Sequence, residues 1–160
     1  MSALTFFRGE YNFKGLKKIP AYVLLYSTGL VICVVEPKVI KAESKRISAE
    51  LKKQKVGMLK RPNFVQKGLD DYGMKFADLG MDGALASDKR NKAIMFDSVT
   101  DVLYQRRPND IGGGDFNTSV SGRFVVKTAN DKIVVYHDYE KGADIEQTLS
   151  QIFGDKIKMK

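Results

Sequence analysis

Ile19-Pro-Ala-Tyr-Val-Leu-Leu-Tyr-Ser-Thr-Gly-Leu-Val-Ile-Cys-Val-Val35 is the stretch on which the fold turns. As a single helix it would be a candidate membrane span. Pro20, Ser27, Thr28 and Gly29 interrupt it, however, and its apolar part falls short of the ~20 residues a bilayer core requires. The stretch reads better as two short buried strands, 21–26 and 30–35. They are joined by a tight turn at Ser27-Thr28-Gly29, where glycine can take positive φ.

Working outward from that hairpin, residues 4–12 supply Thr5, Phe6, Phe7 and Tyr11, side chains that suit a first strand. Residues 13–20 then read as a basic loop carrying Lys14, Lys17 and Lys18. Downstream, Glu36-Pro37 ends the hairpin, and Pro37 suits a first helical position because its missing N–H is not needed there. Ile40, Ile47 and Leu51 fall on one side of a helix predicted to run to about Val56, with Gly57 as its stop. A second start signal, Arg61-Pro62-Asn63, precedes Val65, Leu69, Tyr72, Phe76 and Leu79, which recur at helical spacing. Gly68 and Gly73 weaken that helix by ~1 kcal/mol each relative to Ala, so a break is expected near Gly73. Residues 81–92 are small and polar, with a short strand predicted at 84–87.

Strand character returns at 93–96 and 98–106, and Gly112-Gly113-Gly114 marks 108–119 as a loop. Two further strands, 120–128 and 132–136, flank the Ala129-Asn130-Asp131 turn. A last amphipathic helix, 142–154, carries Ile145, Leu149, Ile152 and Phe153 on one face. The expectation is a mainly β chain of the α+β class, a bent antiparallel sheet or barrel with a C-terminal capping helix and a helical insertion at about 37–92. At 160 residues, one domain is expected, able to bury roughly 70% of the surface of its unfolded chain. Ile40, Ile47, Leu51, Val65, Leu69 and Phe76 would either pack the insertion on the sheet or mediate self-association.

Composition narrows the function classes. A single Cys33 permits no intramolecular disulfide and no cysteine-based zinc site, and there is one histidine, His137. No cofactor and no metal is expected, and a binding module is expected rather than an enzyme. His137-Asp138 lacks a nucleophile placed to complete a triad, and adjacent strand residues face opposite ways, so His137 is expected at a strand-end surface. Gly112-Gly113-Gly114-Asp115 has neither phosphate-loop spacing nor a helix to open. Asp70, Asp71, Asp78 and Asp82 do not follow calcium-loop spacing. The residues after Met1 lack the pattern of a secretory signal, which points to a cytoplasmic protein, peripheral at the membrane at most.

The net charge of +8 is concentrated. Lys38, Lys41, Lys45, Arg46, Lys52, Lys53, Lys55, Lys60, Arg61 and Lys67 stand against only Glu43 and Glu50, and this segment carries the whole excess. An anionic membrane would attract about 1 kcal/mol per cation near its surface, and an acidic protein would be held through the same charge. Nucleic acid is the alternative partner, held through phosphates with counterion release. The basic run has no Trp and no aromatic stacking series, and only Arg46 and Arg61 as bidentate readers of bases.

Two stretches resemble bacterial pleckstrin-homology-like and GRAM domains. The first is Glu10-Tyr11-Asn12-Phe13-Lys14-Gly15 through Leu30-Val31-Ile32, and the second is Ile94-Met95-Phe96-Asp97-Ser98-Val99-Thr100-Asp101-Val102, followed by residues 124–136 and a closing helix. The resemblance covers about 100 residues of the 160. It implies a PH-like bent sheet plugged by the last helix, with 37–92 as a large insertion. It also implies a non-catalytic adaptor whose anionic ligand meets Lys14, Lys17, Lys18 and the cations of 38–61. The strand 21–26 carries no basic residue, unlike phosphoinositide-binding members.

Overall fold

The computed structural model describes residues 2–13, 17–106, 120–138 and 142–159, and the side chains of all of these except 13, 17, 106, 120, 121, 138, 142–144 and 159. Strands β1 (Thr5–Phe13), β2 (Lys17–Leu25), β3 (Gly29–Val34) and β4 (Lys92–Met95) form an antiparallel meander. A second meander, β5 (Val99–Arg106), β6 (Val120–Thr128) and β7 (Lys132–Asp138), joins it through pairing of β1 with β7. β8 (Ile157–Met159) runs parallel to β5, making one mixed eight-stranded sheet in the order β4-β3-β2-β1-β7-β6-β5-β8. Helices α1 (Pro37–Lys53), α2 (Arg61–Tyr72), α3 (Met74–Asp78) and α4 (Gly80–Ala86) lie between β3 and β4, and α5 (Gly142–Phe153) lies between β7 and β8.

The sheet bends back on itself. β4 is at one end of the strand order, yet its Ile94 shares a cleft of about 280 Å³ with Val126 of β6 and Ile133 of β7. Lys92 of β4 also forms an ion pair with Asp131 in the β6–β7 turn. Phe7, Val23, Ile32, Phe124 and Val135 from the two halves of the sheet fill the bend, and Ile145, Leu149 and Phe153 of α5 plug it. The α+β class, the C-terminal capping helix and the helical insertion between strands are therefore all present.

Every residue from 19 to 26 and from 29 to 35 is buried, because β2 and β3 are covered on both faces. Ala21, Val23, Leu25, Leu30, Ile32 and Val34 point into the bend, whereas Tyr22, Leu24, Tyr26, Val31, Cys33 and Val35 point outward into a second core. The strict alternation follows from the period of two in a strand, and the register keeps it in phase: Tyr22 lies opposite Cys33 and Leu24 opposite Val31. Ile40, Leu69, Phe76 and Ala84 from the insertion close the second core, with Ile47 and Val65 packed beside them. The insertion thus packs on the sheet.

Polar contacts fix its position. The Tyr22 hydroxyl donates to the Leu69 carbonyl, in the last turn of α2, where carbonyls lose their helical partners. Arg8 of β1 donates to the Gln66 side-chain carbonyl and lies 3.6 Å from Asp70. At the neck of the insertion, Asn91 accepts from the Val34 N–H at 2.8 Å and donates to the Ala84 carbonyl at 2.9 Å. Arg90 forks onto Asp88, at 3.0 and 2.8 Å, and reaches the Glu36 carboxylate just ahead of α1. That guanidinium holds the Asp88 carboxyl down at about 2. Burial pushes the Cys33 thiol up to about 12, so it is protonated at neutral pH.

Two expectations about the strands need correction. Of the stretch 13–20 read as a loop, Phe13 and residues 17–20 are strand: β1 continues to Phe13 and β2 begins at Lys17, with Pro20 inside it opposite Glu10. Pro20 is tolerated because its carbonyl accepts from Val35, so its missing N–H faces the same side, just beyond the last β2–β3 rung at Ala21 and Val34. Residues 84–87 form no strand: Ala84 to Ala86 end α4, and buried Ala84 lies against β3, its carbonyl 3.8 Å from the Cys33 sulfur. β8 was not anticipated. The expected break at Gly73 is present, between α2 and α3.

Gly73 does more than break a helix. A Cβ there would lie 2.4 Å from the Tyr22 ring, so the α2–α3 junction approaches the sheet only because that position is bare. Gly73→Ala should therefore destabilise the protein by about 1–3 kcal/mol through overpacking. Gly57→Ala, where a Cβ would meet nothing within 4 Å, should be neutral or stabilising by less than ~1 kcal/mol. Urea unfolding midpoints measure both, and equal effects at the two positions would contradict the packing argument.

Candidate functional site

The cations concentrate on α1 and the turn that follows it. Lys38, Lys41, Lys45 and Lys52 recur at +3, +4 and +7, which puts them on one face, opposite Ile40, Ile47 and Leu51. The sheet dictates this arrangement: α1 must turn its apolar stripe to Val35 and its neighbours, and the lysines take the solvent side. Lys38, Lys41, Lys45, Lys52, Lys53, Lys55 and Lys60 are exposed, and none forms an ion pair with a described residue. Arg46 is exposed and bonded to Glu43, whose carboxyl this hydrogen bond holds below its ordinary range.

Arg61 has a different role. It is half-buried, and its Nε donates to the Val56 carbonyl at 2.8 Å, closing the turn that links α1 to α2. Lys18 lies on β2, exposed, with its ammonium 4.0 Å from the centre of the Tyr136 ring. Lys17 is described in its backbone only, and Lys14 lies outside the described residues, as does the Gly112-Gly113-Gly114 loop.

The end of α1 carries a feature that sequence reading placed wrongly. The helix stops at Lys53, not near Gly57. The Val56 N–H bonds the Leu51 carbonyl and the Lys55 N–H bonds the Lys52 carbonyl, both at 3.0 Å, a Schellman arrangement whose left-handed position usually belongs to glycine. Here it is Lys55, with φ 60°, the one non-glycine residue of positive φ among the described residues. The turn is closed again by the Lys60 and Arg61 N–H groups, both bonded to the Gly57 carbonyl at 3.1 Å. On this ordered turn Met58 and Leu59 are 77% and 95% exposed, and Phe64 in the first turn of α2 is 45% exposed. They lie off the apolar stripe used to place the helices, which is why they were missed. The signal was available as apolar residues between Gly57 and Pro62, where a solvated turn would carry polar ones.

Other candidates offer less chemistry. His137 is 2% exposed, not at the surface. It stacks on Tyr104 at 5.6 Å and meets Phe7 edge-on at 6.1 Å, because β7 turns its odd-numbered residues into the bend. A groove of about 430 Å³ runs between α1, α3 and the neck, floored by Val35, Tyr72 and Phe76. Its polar rim is committed internally, Arg90 to Asp88 and Glu36, and Lys75 to the Tyr72 hydroxyl and ring. No group of three or more metal-ligating side chains converges among the described residues, and Asp70 faces Arg8. No helix among them is long and apolar enough to cross a membrane.

No family model and no curated protein matches the chain. Among solved structures it is similar to the crystal structure of the C-terminal domain of an unknown protein from Leishmania infantum. That match has 9% identity and a TM-score of 0.45, covering 94% of this chain and 82% of that one.

The strain at Lys55 yields a stability prediction. A left-handed non-glycine residue costs about 1–2 kcal/mol, so Lys55→Gly should raise the urea midpoint by about 1 kcal/mol equivalent while removing one cation from the turn. A lowered midpoint would mean that the Lys55 side chain holds the turn together.

Proposed function

We propose that the protein is a non-catalytic binding module that recognises an anionic surface through the exposed face of its helical insertion. The observation that carries this reading is the set of seven lysines on α1 and the following turn, exposed and without an acidic partner among the described residues. Solubility alone asks for mixed signs; here one sign dominates a rigid surface, and a field of this kind attracts and orients polyanions. The candidate partners are an anionic membrane or an acidic protein.

Kinship with PH-like and GRAM-like domains belongs to the same proposal. It is supported by the order of elements, two antiparallel meanders followed by a helix that plugs the bend. In this protein the cations sit mainly on the insertion, which would make it the recognition surface.

Co-sedimentation with neutral and anionic vesicles at low and physiological salt, with duplex DNA and RNA as competitors, tests the reading. The wild-type protein should bind anionic vesicles despite the competitors. The Lys52→Glu, Lys53→Glu, Lys55→Glu triple variant should lose at least tenfold in affinity, since each reversal removes about 1 kcal/mol of attraction or more. Preferential nucleic-acid binding with a steep salt slope would replace this reading with the nucleic-acid alternative.

A further inference from the structure

We propose that residues 56–64 form a membrane-insertion element: an apolar tip, Met58 and Leu59 with Phe64 beside them, that enters the headgroup region of an anionic bilayer while Lys52, Lys53, Lys55 and Lys60 lie at its phosphates. This deepens the reading above, on which it rests, by selecting the lipid surface from the anionic partners. A lysine face alone would serve any polyanion. An apolar tip inside that face has a use only where charge and hydrocarbon occur together, and a bilayer interface presents both within a few ångströms. A nucleic acid would neutralise the lysines and leave Leu59 in water.

Two features argue that the tip is built rather than incidental. The turn is fixed by backbone bonds from Lys60 and Arg61 to Gly57 and by the Arg61 side chain on Val56, so Met58 and Leu59 are held out in a preformed arrangement. Burial of these side chains then requires little further ordering of the chain. The second feature is Lys55, at φ 60° where glycine would be relaxed: a strained position holds a cation three residues ahead of the tip. Backbone strain kept at a charged, exposed site fits a functional residue better than a structural one.

The geometry also sets an orientation. Lys38 lies about 20 Å along α1 from Lys52, at about 1.5 Å per residue. That exceeds the screening length of ~8 Å at physiological salt. A protein standing on its tip should therefore depend more on Lys52, Lys53 and Lys55 than on Lys38 and Lys41. A partner lying along the helix would depend on both sets.

The test uses the full chain with vesicles of phosphatidylcholine alone and of phosphatidylcholine with phosphatidylserine, at physiological salt. The Met58→Ser, Leu59→Ser double variant removes no charge and no core contact. It should bind the mixed vesicles at least tenfold more weakly, while Lys38→Glu, Lys41→Glu should weaken binding less than Lys52→Glu, Lys53→Glu does. In a Leu59→Trp variant the emission should shift to the blue with mixed vesicles and be quenched by brominated acyl chains. If the serine variant binds like wild type while reversal of Lys52, Lys53 and Lys55 abolishes binding, the insertion element is refuted and the anionic-surface reading stands. If the wild-type protein ignores both vesicle types, the insertion element is refuted and the anionic-surface reading is left with an acidic protein as its partner. Binding to an acidic protein or to RNA that buries the tryptophan in the absence of lipid also overturns the proposal.

Discussion

Burial of the β2–β3 hairpin on both faces is the constraint on which the rest of the molecule depends. A hairpin in an antiparallel sheet usually shows one face to water and so alternates apolar with polar residues. Here both parities are apolar: one set belongs to the bend of the sheet, and Tyr22, Leu24, Tyr26, Val31, Cys33 and Val35 belong to the helical layer. Uncovering those six side chains would cost on the order of 10 kcal/mol, at about 1.5–3 kcal/mol for each large one. That is comparable to the whole net stability of a domain. The insertion is therefore bound into the fold energetically, and the neck contacts of Arg90 and Asn91 fix where it leaves and rejoins the sheet.

The same constraint shapes the surface. With its apolar stripe committed to the hairpin, α1 must present its other face to solvent, and that face is lysine from Lys38 to Lys52. The helix ends over a strained Lys55, and the turn beyond it displays Met58 and Leu59 instead of folding them inward. Charge, strain and exposed apolar surface thus coincide at one end of a rigid layer. Lys52 and Lys53 also suit the C-terminal end of the helix dipole, but the strain and the exposed apolar surface do not help the fold, and their coincidence with the charge supports a recognition role for this end of the molecule.

Elements with strong periodicity were legible in the sequence. The apolar run of the hairpin with its turn at 27–29, the recurrence of Val65, Leu69, Tyr72 and Phe76, and the break at Gly73 all appear where pattern places them. What was lost was information carried by tertiary packing. Ala84 belongs to a seven-residue helix that contains two glycines, too short and too small-sided for its period to show, and it is needed small because it lies beneath Cys33. Pro20 suggested a loop because nothing local reveals that its missing N–H lies beyond the last rung. His137 carries a polar label but occupies an inward position of β7 between Tyr104 and Phe7. The cationic face was readable as composition. The apolar tip within it was not, because a helical wheel ignores the residues that fall between helices.

Native-state hydrogen exchange, followed amide by amide in rising denaturant, tests most directly whether the two-sided hairpin binds both layers together. The account predicts that the most protected amides of α1 and α2 open with the same free energy and denaturant slope as those of β2 and β3, in one global transition. If the amides of α1 to α4 instead opened together at much lower free energy, with β2 and β3 still protected, the helical layer would be an appendage. The central role given to the hairpin would then be wrong.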